Sequence, residues 1–567
     1  MTMHHDAMGG GFLLEPIGVR AVMAPEFFSS EQRALFQAAR RFCLEAVLPR
    51  ADRIERQDFE LLRDLMRQAG ELGLLGVDVD EAYGGSGLDK TTSLLVAEAK
   101  SLLGSWSVTF AAQTCIGTLP IAWFGTEAQK QQYLPGLVSG QKVAAYALTE
   151  AGSGSDARGA KTRAVKSADG THWVLTGSKQ YITNAGFADV FIVFAKVEGE
   201  HFSAFIVDRD TKGLTVGPEE HKMGIRGSST CPLMLDDARV PVENLLGEVG
   251  RGHKIAFNIL NLGRLKLGAG VLGAMKLHLA GACAYTADRK QFETPLLRFG
   301  LTREKLARML TGLYAVESMA YRTSGLIDAQ VAAGTPLLAA IEEFSPEASI
   351  LKVLGSELFG ALVDDGVQLH GGAGYIEEYP IERAYRDARI NRIFEGTNEI
   401  NRLLIAGTLL KRAMKGPLEL FEDFGPKPSA EDAHVENLKR LARLTLRVAV
   451  EAHGPQLEKH QVVLACVADL VMDAFALDAM TSRNRQVAKT RALEPWRVAA
   501  VQRYSNEAHG RAIVSARRAM SACVQGAALE ARFAEVQALQ VWLAGDAEAV
   551  DEVLAAAVEA AQGFPLG

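Results

Sequence analysis

The sequence predicts a mainly α protein with a central antiparallel β domain, a sheet or small barrel, and a further helical domain behind it. Three observations predict this. Apolar residues recur three and four apart before about residue 142 and again after Gly252, whereas from Val143 to about Val249 the period is two. The strand-length runs of the middle stretch follow one another without intervening helices, which argues against a parallel doubly wound sheet. Finally, GPLELFEDFGPKPSAED (416–432), with its three prolines and acidic cluster, separates the second helical stretch from an Ala- and Leu-rich helical remainder.

Taken in order, residues 1–28 form an N-terminal segment and 29–142 a helical domain. In SSEQRALFQAARRFCLEAVLP (29–49) Ser30 stands where an N-cap belongs and Pro49 ends the pattern. FELLRDLMRQAGELGLLG (59–76) repeats the design and stops on glycines, and GTEAQKQQYLPGL (125–137) reads as a short helix stopped by proline. The β domain spans 143–250. VAAYALT, HWVLTGSKQYIT, DVFIVFAKV, HFSAFIVDR and CPLMLDDARV are rich in Val, Ile, Phe and Tyr and are parted by Gly, Asp and Asn turns. Residues 251–415 are helical again, 416–430 are a linker, and 431–567 are a C-terminal helical extension.

Composition narrows the function. Hydrophobic residues are 48% of the 567 and charged residues 23%, enough apolar material for several cores. The net charge of −7 argues against general nucleic-acid binding. The six cysteines never form a CxxC pair, so they fit neither a disulfide framework nor a zinc site. MTMHHDAMGGGFLLEP has neither secretory nor mitochondrial targeting character, and no run approaches about 18 uninterrupted apolar residues. A cytoplasmic location is the expectation, with contact at the inner face of a membrane left open.

Four segments carry candidate chemistry. YALTEAGSGSD (146–156) follows a strand; Gly152, Gly154 and Ala157 match GxGxxA, but no helix opens after them, so the dinucleotide reading fails on context. A Gly/Ser-rich loop still lets a ligand approach the backbone. GSKQYITNAG (177–186) lies between strands, QLHGGAG (368–374) interrupts a helical pattern, and RIFEGTNEI (392–400) sets Glu395 before a glycine at the mouth of a helix. Alone, such a glutamate reads as a favourable charge near a helix dipole.

In this order, with MGIRGSST (223–230) and ARVPVENLLGE (238–248), these segments resemble the acyl-CoA dehydrogenase family across about residues 30–415. FGLTREKLARM (299–309) and the C-terminal extension resemble its very-long-chain branch most closely. The resemblance implies a helical, β-barrel-like, helical domain order, FAD as cofactor, and oxidation of long-chain acyl-CoA to trans-2-enoyl-CoA in fatty-acid β-oxidation. It further implies a homodimer that passes electrons to an electron-transfer flavoprotein. The enzymatic alternative is an acyl-CoA oxidase that uses oxygen; the non-enzymatic one is a flavoprotein scaffold or assembly factor, against which the intact Glu395 argues.

Residue by residue, the resemblance makes Glu395 the base that takes the substrate α-proton, with the N–H of the base helping to hold the enolate oxygen. It places Tyr146, Leu148 and Thr149 along the flavin ring, Gly154 and Ser155 at flavin and substrate, and Tyr181 and Thr183 on the ring's other side. Arg289, Phe292, Gln368, Gly371 and Gly372 match positions that reach FAD from a neighbouring subunit, Thr397 and Glu399 contact FAD beyond the base, and Gly396 contacts substrate. Arg264 matches either an arginine near the CoA moiety or a plain surface arginine. Glu293 departs from the family, which usually has glycine there, and puts an acid near a pyrophosphate. Small residues at Ala111, Ala112 and Gly117 leave room for a long acyl tail.

The stretch from Thr481 to Met520 carries Arg483, Arg485, Lys489, Arg491, Arg497, Arg503, Arg511, Arg517 and Arg518 against Glu494 and Glu507. It reads as a solvated basic face, as one that pairs with the acidic remainder of the chain, or as a site of peripheral contact with an anionic membrane.

Overall fold

The computed structural model describes residues 8–416, 418–422 and 424–566, so Pro417 and Asp423 of the expected linker lie outside the described residues. The chain forms two compact units. One is Ser29–Ala274 with Arg386–Asn391, here the sheet unit; the other, the helical unit, is Met1–Phe28, Met275–Tyr385 and Arg392–Gly567.

In the sheet unit the first helix, Ser30–Phe42, is capped one residue earlier than the pattern suggests. Ser29 and Gln32 form a reciprocal capping box that satisfies two otherwise orphan donors. Thr126 and Gln129 do the same for Glu127–Val138, which runs on through Pro135 instead of stopping there. Eight strands follow: β1 (Ala144–Ala147), β2 (Arg163–Lys166), β3 (His172–Thr183), β4 (Val190–Val197), β5 (His201–Asp208), β6 (Leu214–Val216), β7 (Thr230–Pro241) and β8 (Leu245–Leu246).

These strands correct the expectation of an antiparallel barrel. The sheet is mixed and its path is open, in the order β6-β7-β3-β2-β4-β5-β8, with β1 also on β4. Both β1 and β2 run parallel to β4, pairing with residues 190–193 and 196–197 respectively. Parallel pairing needs a return of the chain, which usually takes a helix. Here the long loop after β1, and β3 itself between β2 and β4, return the chain without one, so nothing in the strand spacing betrays it. VFIVFAKV is apolar on both faces because β4 is buried along almost its whole length. Tyr146 and Phe202 pack their rings on Phe194 at centroid distances of 5.1 and 5.4 Å.

The helical unit is built on the long helices Gly300–Ala332, Ser345–His370, Asn398–Lys415, Ala433–His453, Gln461–Ala488 and Pro495–Ser521. The segment expected as a linker is held against it. Leu418 and Leu420 are buried, and Arg443 donates to the carbonyls of Leu420 and Glu422 at 3.1 and 3.0 Å. The stretch Gly252–Asp288 is long and apolar enough by composition to cross a membrane, but 56% of its most apolar window is buried inside the protein, as in a core helix.

The basic stretch also departs from a wholly solvated face. Arg483 and Arg497 are fully buried, and Trp496 is buried beside them. Arg485 pairs with Asp432, Arg491 with Glu494, Arg503 with Glu304, Glu507 and Asp551, and Arg511 with Asp473. Much of the stretch is thus paired with acids, as the alternative of pairing with the acidic remainder expects, while Lys489, Arg517 and Arg518 are exposed.

Candidate active site

Each unit carries one group of the expected residues. In the sheet unit, Tyr146 near the end of β1 and Leu148 just beyond it are both largely buried, and the chain then emerges into a loop whose Gly152, Gly154 and Ser155 are exposed. A Cβ added at Gly152 or Gly154 would meet nothing within 4 Å, so both backbones are open to a ligand. The loop is nonetheless fixed from below by Glu150. Its carboxylate accepts from the N–H of Lys161 (2.6 Å), the N–H and hydroxyl of Thr162 (3.1 and 2.6 Å) and Lys179 Nζ (2.7 Å). Burial works against this charge, but the four donors outweigh it and hold the carboxyl below its ordinary range. Lys179 also donates to the carbonyl of Leu148 at 3.3 Å.

The loop is stitched to β3 by Gln180 N–H donating to the Thr149 carbonyl at 2.9 Å. Immediately beyond, the β3–β7 register slips between Lys179 and Ile182. Tyr181 occupies that bulge at φ 60°, a conformation uncommon for an aromatic residue, and its ring is 58% exposed. Thr149 and Thr183 are half-buried. The motif residues on these two segments are therefore assembled into a single region: an open glycine backbone, hydroxyls and a presented aromatic ring. Such a region suits a flat, polar-edged ligand. Arg264 is buried, with Nη1 2.8 Å from Asn261 Oδ1, so it is not a plain surface arginine.

In the helical unit, Glu395 and Gly396 form a turn before Asn398–Lys415, at φ 58° and 80°. Thr397 caps that helix by accepting from Ile400 N–H at 3.2 Å. Glu395, Gly396 and Thr397 are half-buried and Glu399 is exposed. Asn401 donates to the carbonyls of Gly396 and Thr397 at 2.8 and 3.0 Å, and Lys352 donates to the Gly396 carbonyl at 2.7 Å.

A second cluster in this unit gathers Arg289, Phe292, Gln368, Gly371 and Gly372, all exposed. The hydroxyl of Tyr285 donates to the His370 carbonyl at 3.1 Å, which brings the end of Leu272–Asp288 to the end of Ser345–His370. Arg289 enters the hairpin of β9 (Lys290–Gln291) and β10 (Thr294–Pro295), with Phe292 and Glu293 as its two-residue tip. Phe292 is 90% exposed. A Cβ at Gly371 or Gly372 would also meet open space.

Sequence reading picked out the presented residues and missed the ones that hold them: Glu150 and Lys179 under the loop, Lys352 and Asn401 behind the Glu395–Gly396 turn. A lysine in a strand and another in a long helix carry no local signal. Only burial marks them, and burial is a property of the folded chain.

A protein of Bacillus subtilis described as a probable acyl-CoA dehydrogenase is 48% identical over 502 residues, 84% of each chain. The chain belongs to the acyl-CoA dehydrogenase family. Models of the acyl-CoA dehydrogenase N-terminal, middle and C-terminal domains match residues 29–141, 145–238 and 250–410, and a further acyl-CoA dehydrogenase C-terminal domain matches 437–537. The human mitochondrial very long-chain specific acyl-CoA dehydrogenase is 44% identical over 347 residues, and this chain spans about half (51%) of its length. A crystal structure of an acyl-CoA dehydrogenase complexed with FAD from Bacillus anthracis superposes with a TM-score of 0.95 at 44% identity, covering 98% of this chain and 99% of that one. Among family members, then, this chain has a relative that shares its fold along nearly the full length, extension included.

Proposed function

We propose that the protein is an FAD-dependent dehydrogenase of long-chain acyl-CoA thioesters, forming the trans-2-enoyl-CoA and yielding its electrons to an electron-transfer flavoprotein. The observation that carries this reading is Glu395 in its left-handed turn. A glutamate held at positive φ costs of order 1–3 kcal/mol, a strain that clusters at functional sites. Here it presents a carboxylate from a turn whose carbonyls are tied back by Lys352 and Asn401.

The residues fit FAD. The open faces of Gly152 and Gly154 and the exposed ring of Tyr181 suit the isoalloxazine, while Arg289 and the open turn at Gly371 and Gly372 suit the adenosine diphosphate part, offered to a second copy of the chain in a homodimer. When bound, FAD takes the β-hydrogen as hydride. Glu395 takes the α-proton and becomes a carboxylic acid, and its own N–H stands to donate to the thioester oxygen as enolate character grows. Long-chain preference draws support from the very long-chain relative and from the small side chains of Ala111 and Ala112.

The test is an anaerobic titration of the yellow holoprotein with acyl-CoA of increasing chain length. The reading expects bleaching of the flavin, strongest at long chains, and loss of that bleaching by orders of magnitude in Glu395→Gln with FAD still bound. Retention of more than about a tenth of the reduction rate in that variant moves the base elsewhere. Rapid peroxide formation in air would favour an oxidase.

A further inference from the structure

Two consecutive residues, Glu395 and Gly396, occupy the left-handed region, and only the second is a glycine. Such a conformation persists where the surroundings over-determine it. Behind this turn, Asn401 Nδ2 lies 3.4, 2.8 and 3.0 Å from the carbonyl oxygens of Glu395, Gly396 and Thr397. Lys352 Nζ lies 2.7 Å from the Gly396 carbonyl and 2.7 Å from Asn398 Oδ1. Lys352 and Asn401 are both completely buried. A buried ammonium group is costly unless its donors are met, so Lys352 gains most when the turn brings the Gly396 carbonyl to it. An extended backbone at Glu395 would swing that carbonyl away and leave the buried cation one acceptor poorer.

We propose that Lys352 and Asn401 are positioning residues for proton abstraction, which fix the left-handed turn and thereby aim the Glu395 carboxylate. The proposal rests on the reading of Glu395 as the base. The bracing does not end at the turn. Asn398 Nδ2 donates to Ser356 Oγ and Glu357 Oε1, each at 3.0 Å. Arg402 grips Glu357 at 2.8 and 3.0 Å and reaches Asp469 at 2.8 Å, on the Gln461–Ala488 helix of the C-terminal extension. The extension is thus fastened to the helix that follows Glu395, one turn in from its start. Neither Lys352 nor Asn401 needs to touch substrate: each acts through the backbone.

The experiment compares holoprotein of wild type, Lys352→Met, Asn401→Leu and Glu395→Gln by anaerobic stopped-flow reduction with palmitoyl-CoA, at matched flavin content. A displaced base slows the chemical step and leaves binding nearly alone. Lys352→Met and Asn401→Leu should each lose on the order of 10- to 100-fold in limiting reduction rate, with half-saturation changed less than about threefold. Arg322→Met breaks the buried pair with Asp478 in the same unit and should lower thermal stability at an unchanged limiting rate. If Lys352→Met does not hold flavin, Asn401→Leu, which removes no charge, decides alone. Wild-type limiting rates in the positioning variants, with Glu395→Gln inactive, overturn this proposal only. Wild-type reduction in Glu395→Gln overturns the base assignment and this proposal with it.

Discussion

Glu26 Oε1 lies 2.7 Å from Arg497 Nη2, and the same oxygen accepts from Arg483 Nη2 at 2.9 Å. One carboxylate of the N-terminal segment thus serves two buried guanidinium groups of the C-terminal extension, more than 450 residues away in the chain. Arg483 is shared further with Glu317 at 2.8 Å, and Arg497 stacks over Trp496 with its guanidinium carbon 4.9 Å from the ring centre.

Burial opposes the charge on Glu26, but Arg483 and Arg497 outweigh it and draw the carboxyl down to about 2 from 4.5. A depressed acid contributes stability that is fully present above its unfolded value and is lost as pH falls through the folded one. The window is therefore from about pH 4.5 down to about pH 2. At roughly 1.4 kcal/mol per unit the contribution is of order 3 kcal/mol. Glu26→Gln should lower the thermal midpoint at pH 7 and narrow the gap to wild type as pH approaches 2, followed by far-UV circular dichroism. A gap that stays constant across that range would assign the loss to packing and not to charge.

Glu347 shows the opposite sign. Burial pushes its carboxyl up to about 7, although the N–H of Gly10 donates to Oε1 at 2.6 Å and favours the ionised form. Its Oε2 has no hydrogen-bond partner among the described residues. A raised acid binds its proton more tightly when folded, so stability falls as pH rises from 4.5 to about 7 and stays reduced above. Glu347→Gln keeps an acceptor for Gly10 and removes the penalty. The variant should match wild type near pH 4 and exceed it in thermal midpoint at pH 8. Equal midpoints at both pH values would mean that the carboxyl ionises without cost.

Gly117 and Gly154 separate packing from ligand approach. A Cβ at Gly117 would stand 2.6 Å from Ala144 Cβ and 2.8 Å from the Ala112 carbonyl, so Gly117→Ala must push the π-helical turn Ala112–Gly117 off β1. Overpacking of this kind costs about 1–3 kcal/mol. Its smallness is thus accounted for by the sheet and needs no acyl chain to explain it. Gly154→Ala meets nothing within 4 Å, so its apoprotein should melt like wild type while its affinity for FAD falls. Unchanged flavin affinity there would take the ring away from this loop.

The order of helices, strands and helices was legible because periodicity reports which face is buried. A glutamate before a glycine at a helix mouth is a local pattern too, but alone it signalled only a charge near a helix dipole, and its proposed role as base came from the family resemblance. The parallel pairing of β1 and β2 with β4 was not legible, since pairing direction depends on where the chain returns and leaves no trace in a strand's own residues. For the basic stretch the sequence left solvation and pairing with the acidic remainder both open, because the acid that meets Arg483 and Arg497, Glu26, is distant in sequence and is brought to them only by folding. Lys352 and Asn401 escaped notice on the same ground.

The last prediction concerns the hairpin tip. Phe292 and Glu293 stand at φ 50° and 63°, as a two-residue hairpin of the primed type requires, and glycine or asparagine usually supplies that conformation. A glutamate there pays about 1–2 kcal/mol in the folded state. Glu293→Gly recovers this but loosens the unfolded chain by about 0.4–1 kcal/mol, so the net gain in stability lies between zero and about 1.6 kcal/mol. Charge is the larger lever. Glu293 is exposed on the same hairpin as Arg289 and Lys290, and on the proposed FAD reading it would weaken the pull of these cations on a pyrophosphate. Both Glu293→Gly and Glu293→Gln should therefore tighten FAD binding severalfold at low salt, with the advantage shrinking as salt is added. Fluorescence titration of apoprotein with FAD at two ionic strengths reads this directly. A gain in Glu293→Gly alone would trace the effect to the backbone, and no gain in either would place the hairpin away from the cofactor.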